Sequence, residues 1–580
     1  MKKQTVLSIL FSAMVIPTTV AFVGCGGGPS IELQGSGTQA DPYIIASAED
    51  LNVITQADAD ISDLTEGKYF KLTADIGSTE TPYLTSIAGF TATFKGILSG
   101  EAPAGSEASK FTITLSGPTA LFGVNAGTIE NLNIAGTIVT EATQTGTVGM
   151  LANTNTGIIS DIAVSGSVTN ERGTVSDLAS AEATGVGALV GTNDTTGVIA
   201  ASQNTATVKS KAGAGGIAAV NKGDINNVSN TGTIGMDRPS SNSDWLSNTT
   251  QYSVMGGVAG INYGEIKGSY NKANVFAPAL NETGEGYVAT MTGNQYIGGI
   301  AGYNKANATI TQSINMFGKV NSINISVFGD KYVGGIAGYN DGAIEYSLSN
   351  VNLGARSNFA GIASENGTNG TVKYCVAGHN QARGALETIS NDDAAASYYW
   401  FISSTAENCV YNSGSNRGAI PTGENIYVNC GTGYSNDPFS SANTPEKVEA
   451  AQEKVDGYLE ILNAGCTTCQ IWAVMEAQGN SNPIIQPKAF IDAQVIYTVG
   501  EGTDAVTTTK NFSSFKDGHS ITLTAPEAPA GTEFKGWSTT TLADNIVYDE
   551  TETTTPETTF DLVSGQTLTL YAIFAAIPVE

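Results

Sequence analysis

Residues 334–353 read GGIAGYNDGAIEYSLSNVNL, and the shape of this one segment decides the fold. A short apolar run at Ile336 and Ala337 is followed by an Asn-x-Gly turn, Asn340-Asp341-Gly342, in which Asn and Gly accept positive φ. Apolar or small residues then recur at fixed offsets. Their spacing is neither the 3.6 of an amphipathic helix nor a clean alternation of 2, so a strand, a bend and another strand fit. The same segment recurs from Gly256 as GGVAGINYGEIKGSYNKANV, from Gly298 as GGIAGYNKANATITQSINMFGKV and from Gly215 as GGIAAVNKGDINNVSNTGTI. Weaker copies begin at Ala120, Gly149 and Gly187, and a degraded one at Ala360.

One such unit cannot bury its apolar side alone, whereas stacked units bury a continuous column with equivalent residues about 4.8 Å apart. The expected fold is therefore all-β, a right-handed parallel β-helix. Ile129, Ile159, Ile225, Ile266, Ile310 and Ile344 share the position after the turn and are expected to form one inward column. Asn125, Asn221, Asn262, Asn304 and Asn340 are expected to stack as an amide ladder. Cys375 falls at the offset that holds Leu132 and Ser347 in other copies, a core stacking position. Some 15 to 20 coils at about 4.8 Å would reach on the order of 80 Å. Copy spacing varies, so insertions must leave the coils as loops. The longest runs from Met236 to Val254 and contains Trp245, which reads as a loop anchor in preference to a binding aromatic; another spans Asn391 to Ser403.

The chain has 580 residues, 68 of them Gly, with 41% hydrophobic and only 14% charged residues. That is enough apolar material for a core and a turn-and-strand vocabulary rather than a helical one. The formal net charge of −28 repels phosphate backbones and excludes nucleic acid as a partner. Lys2 and Lys3 precede a mostly apolar run from Val6 to Val23 that is interrupted by Pro17, the pattern of a secretory signal. It ends Phe22-Val23-Gly24-Cys25, which resembles a bacterial lipobox, although Phe22 stands where that motif usually has Leu. The resemblance implies lipidation of Cys25, with the Gly/Pro/Ser stretch after it as a tether, and so an exported protein anchored to the cell envelope at the outer membrane or cell surface. With Cys25 set aside, Cys375, Cys409, Cys430, Cys466 and Cys469 remain, an odd number that leaves at least one free thiol.

The repeats resemble the GLUG repeats of bacterial surface proteins, some of which are IgA-specific metallopeptidases. Upstream, Gly35-Ser-Gly-Thr, Asp41 to Ile45, Ala48 to Leu51 and Tyr69 to Leu72 resemble that family's N-terminal cap, and Phe94 to Gly100 its first coil. Glu446 to Leu462 reads as an amphipathic helix, which in the family closes the solenoid. From about Ala493 the composition turns Thr-rich, with Val, Tyr and Phe in alternation, and resembles the small β-grasp-like repeat of Listeria and Bacteroides surface proteins; Trp537 and Tyr571 are its expected core aromatics. The implied organisation is a signal peptide over 1–24, a tether over 25–34, a capped β-helix over 35–490 and a β-grasp-like domain over 493–580.

The chemistry-bearing residues are few. His379 and His519 are the only histidines, and neither begins HExxH, so the peptidase activity of some GLUG proteins does not carry over. No GxSxG elbow supports a serine triad. Cys466-Thr467-Thr468-Cys469 follows the expected helix rather than opening one and has no second pair nearby, which favours a local disulfide or buried thiols over redox or zinc chemistry. Asp392-Asp393 lies beside Tyr398, Tyr399 and Trp400, and an aromatic platform next to acids suits a sugar site, although a loop packed on the solenoid reads the same way. The expectation is a non-catalytic cell-surface lipoprotein, an adhesin-like binding or scaffold rod, without cofactor or metal. Its partners are the membrane, through the lipid, and a host glycan or protein. A carbohydrate-active β-helix enzyme (a polysaccharide lyase or glycoside hydrolase) and a purely structural envelope protein are the alternatives.

Overall fold

The computed structural model describes residues 33–55, 61–86, 93–103, 109–173, 175–210, 212–235, 252–273, 275–276, 295–316, 327–329, 331–351, 353–354, 359–377, 406–407, 409–412, 426–428, 472–475, 484–487, 491–499, 506–514, 519–522, 532–538, 559–562 and 567–576. Strands dominate, and through residue 428 they pair in parallel, in a β-helix-like stack. One coil consists of Gln295–Gly298, Ala301–Asn304, Thr309–Thr311, Ile314–Met316 and Val327–Phe328. Each strand pairs with its equivalent in the next coil: Ala301 with Ala337, Ile310 with Ile344, Ile314 with Leu348 and Val327 with Leu353. The eight strands ending in the ladder asparagines, preceded by Thr93–Phe94, form one nine-stranded sheet that runs to Ala363–Asn366.

The isoleucine column forms as expected. Leu98, Ile129, Ile159, Ile199, Ile225, Ile266, Ile310 and Ile344 pair in unbroken register, and all are fully buried. Upstream the same register continues through Phe70 to Tyr43. The stack therefore begins at Tyr43–Ile45, two rungs before Phe94, and helix Ala48–Thr55 leaves that first coil to bury Leu51 and Ile54 in the same core.

The amide ladder is longer than the five residues expected. Asn125 Nδ2 donates to Asn155 Oδ1 at 2.7 Å, and the chain of donors continues through Asn193, Asn221, Asn262, Asn304 and Asn340 to Asn366, each step 2.6–2.8 Å. A second ladder runs from Asn204 through Asn230 and Asn271 to Asn315, whose Nδ2 donates to the carbonyl of Gly335 at 2.7 Å. Buried amides are costly unless every donor and acceptor is matched, and a rung-to-rung ladder matches them in every coil.

Two corners explain the small residues of the repeat. A Cβ on Gly298 would overlap the carbonyl oxygen of Ala301, and one on Gly334 that of Ala337, so the chain turns tightly enough there that only Gly fits. At another corner Asn131, Asp161, Ala201, Asn227, Gly268, Gln312, Tyr346 and Tyr374 occupy equivalent positions, and all have φ between 47° and 61°. The residue that follows is a core position. There Ser313 N donates to Ser347 Oγ at 3.3 Å and Cys375 N to Cys409 Sγ at 3.4 Å. Cys375 thus takes the expected stacking place, and both it and Cys409 are buried free thiols.

Three expectations change. Ladder partners lie 26 to 44 residues apart, because one coil uses five strands rather than one strand–bend–strand unit. Among the described residues the paired rungs run from Tyr43 to Ile426 and span on the order of 60 Å at about 4.8 Å per rung. The insertion after Met236 ends before residue 254: Tyr252 bridges Val175, and Ser253–Gly256 is already back in the stack with Val254 fully buried. Beyond the parallel stack, Trp472–Met475 and Ile484–Pro487 pair antiparallel. The C-terminal strands form a four-stranded sheet in the order Val506–Ser514, Ile491–Val499, Thr567–Ala576, Thr532–Ser538, with the two central strands parallel. Trp537 is buried as expected, but Tyr571 is only partly so. Along its strand the inward face carries Leu570 and Phe574, and Tyr571 alternates to the other side.

Candidate functional site

The residue just before each ladder asparagine faces outward, and its identity changes along the solenoid. Val220, Ile261, Tyr303, Tyr339 and Glu365 occupy this position in successive coils. The strand on the other side of the Gly-Gly corner changes in step: Val254 pairs with Tyr296, and Tyr332 lies beside Tyr296 in the next coil.

The apolar members are covered by the chain itself. Helix Leu178–Ala183, capped by Asp177 through its side chain to Ser180 N at 2.7 Å, packs Ala181 against Val254 and Ile261. Its Glu182 accepts a hydrogen bond from the Tyr263 hydroxyl at 2.6 Å. In the next two coils the aliphatic residues give way to tyrosines that are partly exposed. Tyr303 and Tyr339 stack with centroids 4.6 Å apart, and Tyr296 and Tyr332 stack at 5.1 Å. Tyr296 also meets Tyr252, Tyr303 and Tyr339 edge-on at 5.7, 5.3 and 5.5 Å. Lys305 Nζ sits over the rings of Tyr303, at 4.6 Å, and Tyr263, at 5.2 Å, an arrangement attractive to a cation.

Electrostatics follow from partial burial. Desolvation pushes the hydroxyls of Tyr252, Tyr263 and Tyr303 well above the usual phenol range and that of Tyr296 up to about 12. Burial also raises the Glu365 carboxyl and lowers the Lys305 ammonium, the latter against the pull of Glu182 and Asp341. At neutral pH the phenols are therefore protonated, each able to donate and accept. The patch combines ring surface, hydroxyls, an amine and carboxylates, which suits recognition by stacking and hydrogen bonding.

The site residues expected from sequence, Cys25 for lipidation and Tyr398, Tyr399 and Trp400 for ligand contact, lie outside the described residues, as do Trp245, His379, Asp392, Asp393, Cys466, Cys469 and the helix expected over 446–462. His519 opens strand His519–Thr522, which pairs with Thr559–Leu562. Among the described residues no group of three or more His, Cys, Asp or Glu side chains is placed to hold a metal ion, and no helix is long and apolar enough to cross a membrane.

The tyrosine patch was not expected, yet its signal stands in the sequence. Tyr296-Ile-Gly-Gly-Ile-Ala-Gly-Tyr303-Asn and Tyr332-Val-Gly-Gly-Ile-Ala-Gly-Tyr339-Asn place tyrosines at the same two outward positions of adjacent coils. No family model, curated protein or solved structure matches the chain.

Proposed function

We propose that this protein is a non-catalytic binding rod of the cell surface. In this reading the parallel stack is a right-handed β-helix of GLUG-repeat type, exported and held to the envelope by lipid on Cys25. Right-handed crossover is the strongly favoured hand for parallel strands. The C-terminal sheet is read as a β-grasp-like module, supported by its parallel central pair flanked by antiparallel neighbours.

The observation that carries the binding reading is the partly exposed tyrosine patch that succeeds the helix-covered rungs. A rigid stack holds these side chains in fixed register, which lowers the entropy lost when a ligand binds. Tyrosine combines apolar area with a polar tip at small conformational cost, the property that recognition surfaces use.

Two measurements test the proposal. The mature chain, screened against glycans and host proteins, is expected to bind without converting the ligand; release of new reducing ends or unsaturated sugars would put a β-helix enzyme in its place. Mass spectrometry of the mature N-terminus is expected to find acylated Cys25, with Cys25→Ser releasing the protein from the membrane fraction; an unmodified cysteine removes the anchor.

A further inference from the structure

The binding reading leaves the ligand open, and the tyrosine patch narrows it. We infer that the face lined by Tyr296, Tyr303, Tyr332 and Tyr339 binds an uncharged glycan chain lying along the solenoid axis. This inference rests on the binding-rod reading and adds the ligand class.

Charge is the first argument. Glu182, Asp341 and Glu365 surround the patch, and the chain as a whole carries −28. Uronate or sulfated chains and phosphate-bearing ligands meet that field as like charges. A cationic ligand is opposed differently. The place where a cation gains most, over the faces of Tyr263 and Tyr303, already holds the Lys305 ammonium. What remains complementary is a ligand without net charge that offers many hydroxyls.

Periodicity is the second argument. Tyr296 and Tyr332 repeat one coil apart, and so do Tyr303 and Tyr339. Each rung therefore offers two phenols about 4.8 Å from the equivalent pair in the next. Lys305 and Asp341 follow the ladder asparagines of the same two rungs and supply a donor and an acceptor beside them. A polymer of similar hydroxylated units meets the same groups at each step.

Placement is the third. Under helix Leu178–Ala183 the equivalent positions are Val254 and Ile261, which suit a dry contact. Tyr296 and Tyr303 pack at the edge of that contact, and Tyr332 and Tyr339 continue the row beyond it. An aliphatic surface there would be an exposed apolar patch, whereas phenols keep the ring surface and give hydroxyls to a wet ligand.

The test is isothermal titration calorimetry of the mature full-length chain with linear neutral hexose oligosaccharides of increasing length, alongside uronate oligosaccharides of matching lengths and a set of host proteins. Neutral oligosaccharides are expected to bind, more tightly as they lengthen to cover both rungs. Tyr296→Ala and Tyr339→Ala are each expected to weaken that binding roughly three- to tenfold. Tyr346→Ala, whose ring stacks on Tyr374 at a different corner, is expected to leave it unchanged. Lys305→Gln and Tyr339→Phe probe the same face with smaller changes to the fold and are expected to weaken binding about threefold. Capture of a uronate chain or a protein that these substitutions abolish overturns the uncharged-glycan assignment while leaving the binding rod standing. Neutral-glycan binding indifferent to every one of them overturns the site. Absence of binding to all three classes overturns both.

Discussion

Asn304 donates its side-chain amide to Asn340 at 2.8 Å, and the two residues, 36 positions apart in sequence, are both fully buried. Each is also bonded on its other side: Asn304 accepts from Asn262, and Asn340 donates to Asn366. The amides all point the same way along the axis, so removing one rung strands an acceptor on one side and a donor on the other. Such a ladder specifies register: a one-residue slip would turn every asparagine out of the row.

Asn304→Ala is accordingly expected to cost about 1–3 kcal/mol, the price of an unmatched buried polar group. Asn304→Asp should cost more, because it sets a carboxylate against the Asn340 carbonyl oxygen. Urea unfolding of both variants measures this. Equal and negligible shifts in both would mean the ladder contributes no net stability.

The isoleucine column answers a different kind of change. Ile344 lies between Ile310 and Val372 with no exposed surface. Ile344→Val should cost about 0.5–1.5 kcal/mol, the loss of one buried methylene. Ile344→Asp should unfold the coils on either side, since a stack is held by nearest-neighbour interfaces. Hydrogen exchange resolved along the chain checks the second variant: lost protection confined to the strands around Ala343–Glu345 is the expected pattern, and uniform loss would show a stack that unfolds as one unit.

The inward column could be read from sequence because one inward isoleucine per copy follows a recognisable turn. The sequence shows five ladder asparagines, Asn125, Asn221, Asn262, Asn304 and Asn340, and the turn alone does not mark the row: Asn304 lacks the Asn-x-Gly pattern, whereas Asn155 has it. Asn155 and Asn193 stand in copies whose apolar residues diverge, although their amides sit in the same row. The coil length was misjudged for a physical reason: the third, fourth and fifth strands of a coil are two or three residues each and bounded by small polar residues, so they carry too little pattern to count. The tyrosine patch escaped because its members are seven residues apart in sequence and become neighbours only when adjacent coils stack.

The left-handed corner offers a stabilising substitution. Ala201 has φ 47° at a position where neighbouring coils hold Asn131, Asp161 and Asn227. Alanine has no side-chain hydrogen bond to offset the strain of that region, whereas asparagine tolerates it. Ala201→Asn is expected to raise stability by roughly 0.5–1 kcal/mol. A lower thermal midpoint for Ala201→Asn than for the parent would show that space around the side chain, not backbone strain, governs this corner.

The tyrosine patch predicts how stability falls in alkali. Burial is the first cause of the raised Tyr296 hydroxyl, followed by the charges of Tyr332 and Glu365. A free phenol ionises near pH 10, so in the unfolded chain these residues lose their protons first. Folding is favoured by the neutral form, and its contribution is complete below about pH 10. It falls away as the pH rises through about 12, the folded value for Tyr296, and further still for Tyr252, Tyr263 and Tyr303, whose hydroxyls are also raised by burial. Lys305 acts in the opposite sense, because burial lowers its ammonium and its charge is shed before the tyrosines ionise. Thermal midpoints should therefore hold up to about pH 10 and then drop, and Tyr296→Phe and Tyr303→Phe should each flatten the drop. Because desolvation rather than pairwise charge leads, added salt should restore little of the loss. An alkaline limb identical in the parent and in both phenylalanine variants would place the sensitive groups elsewhere in the chain.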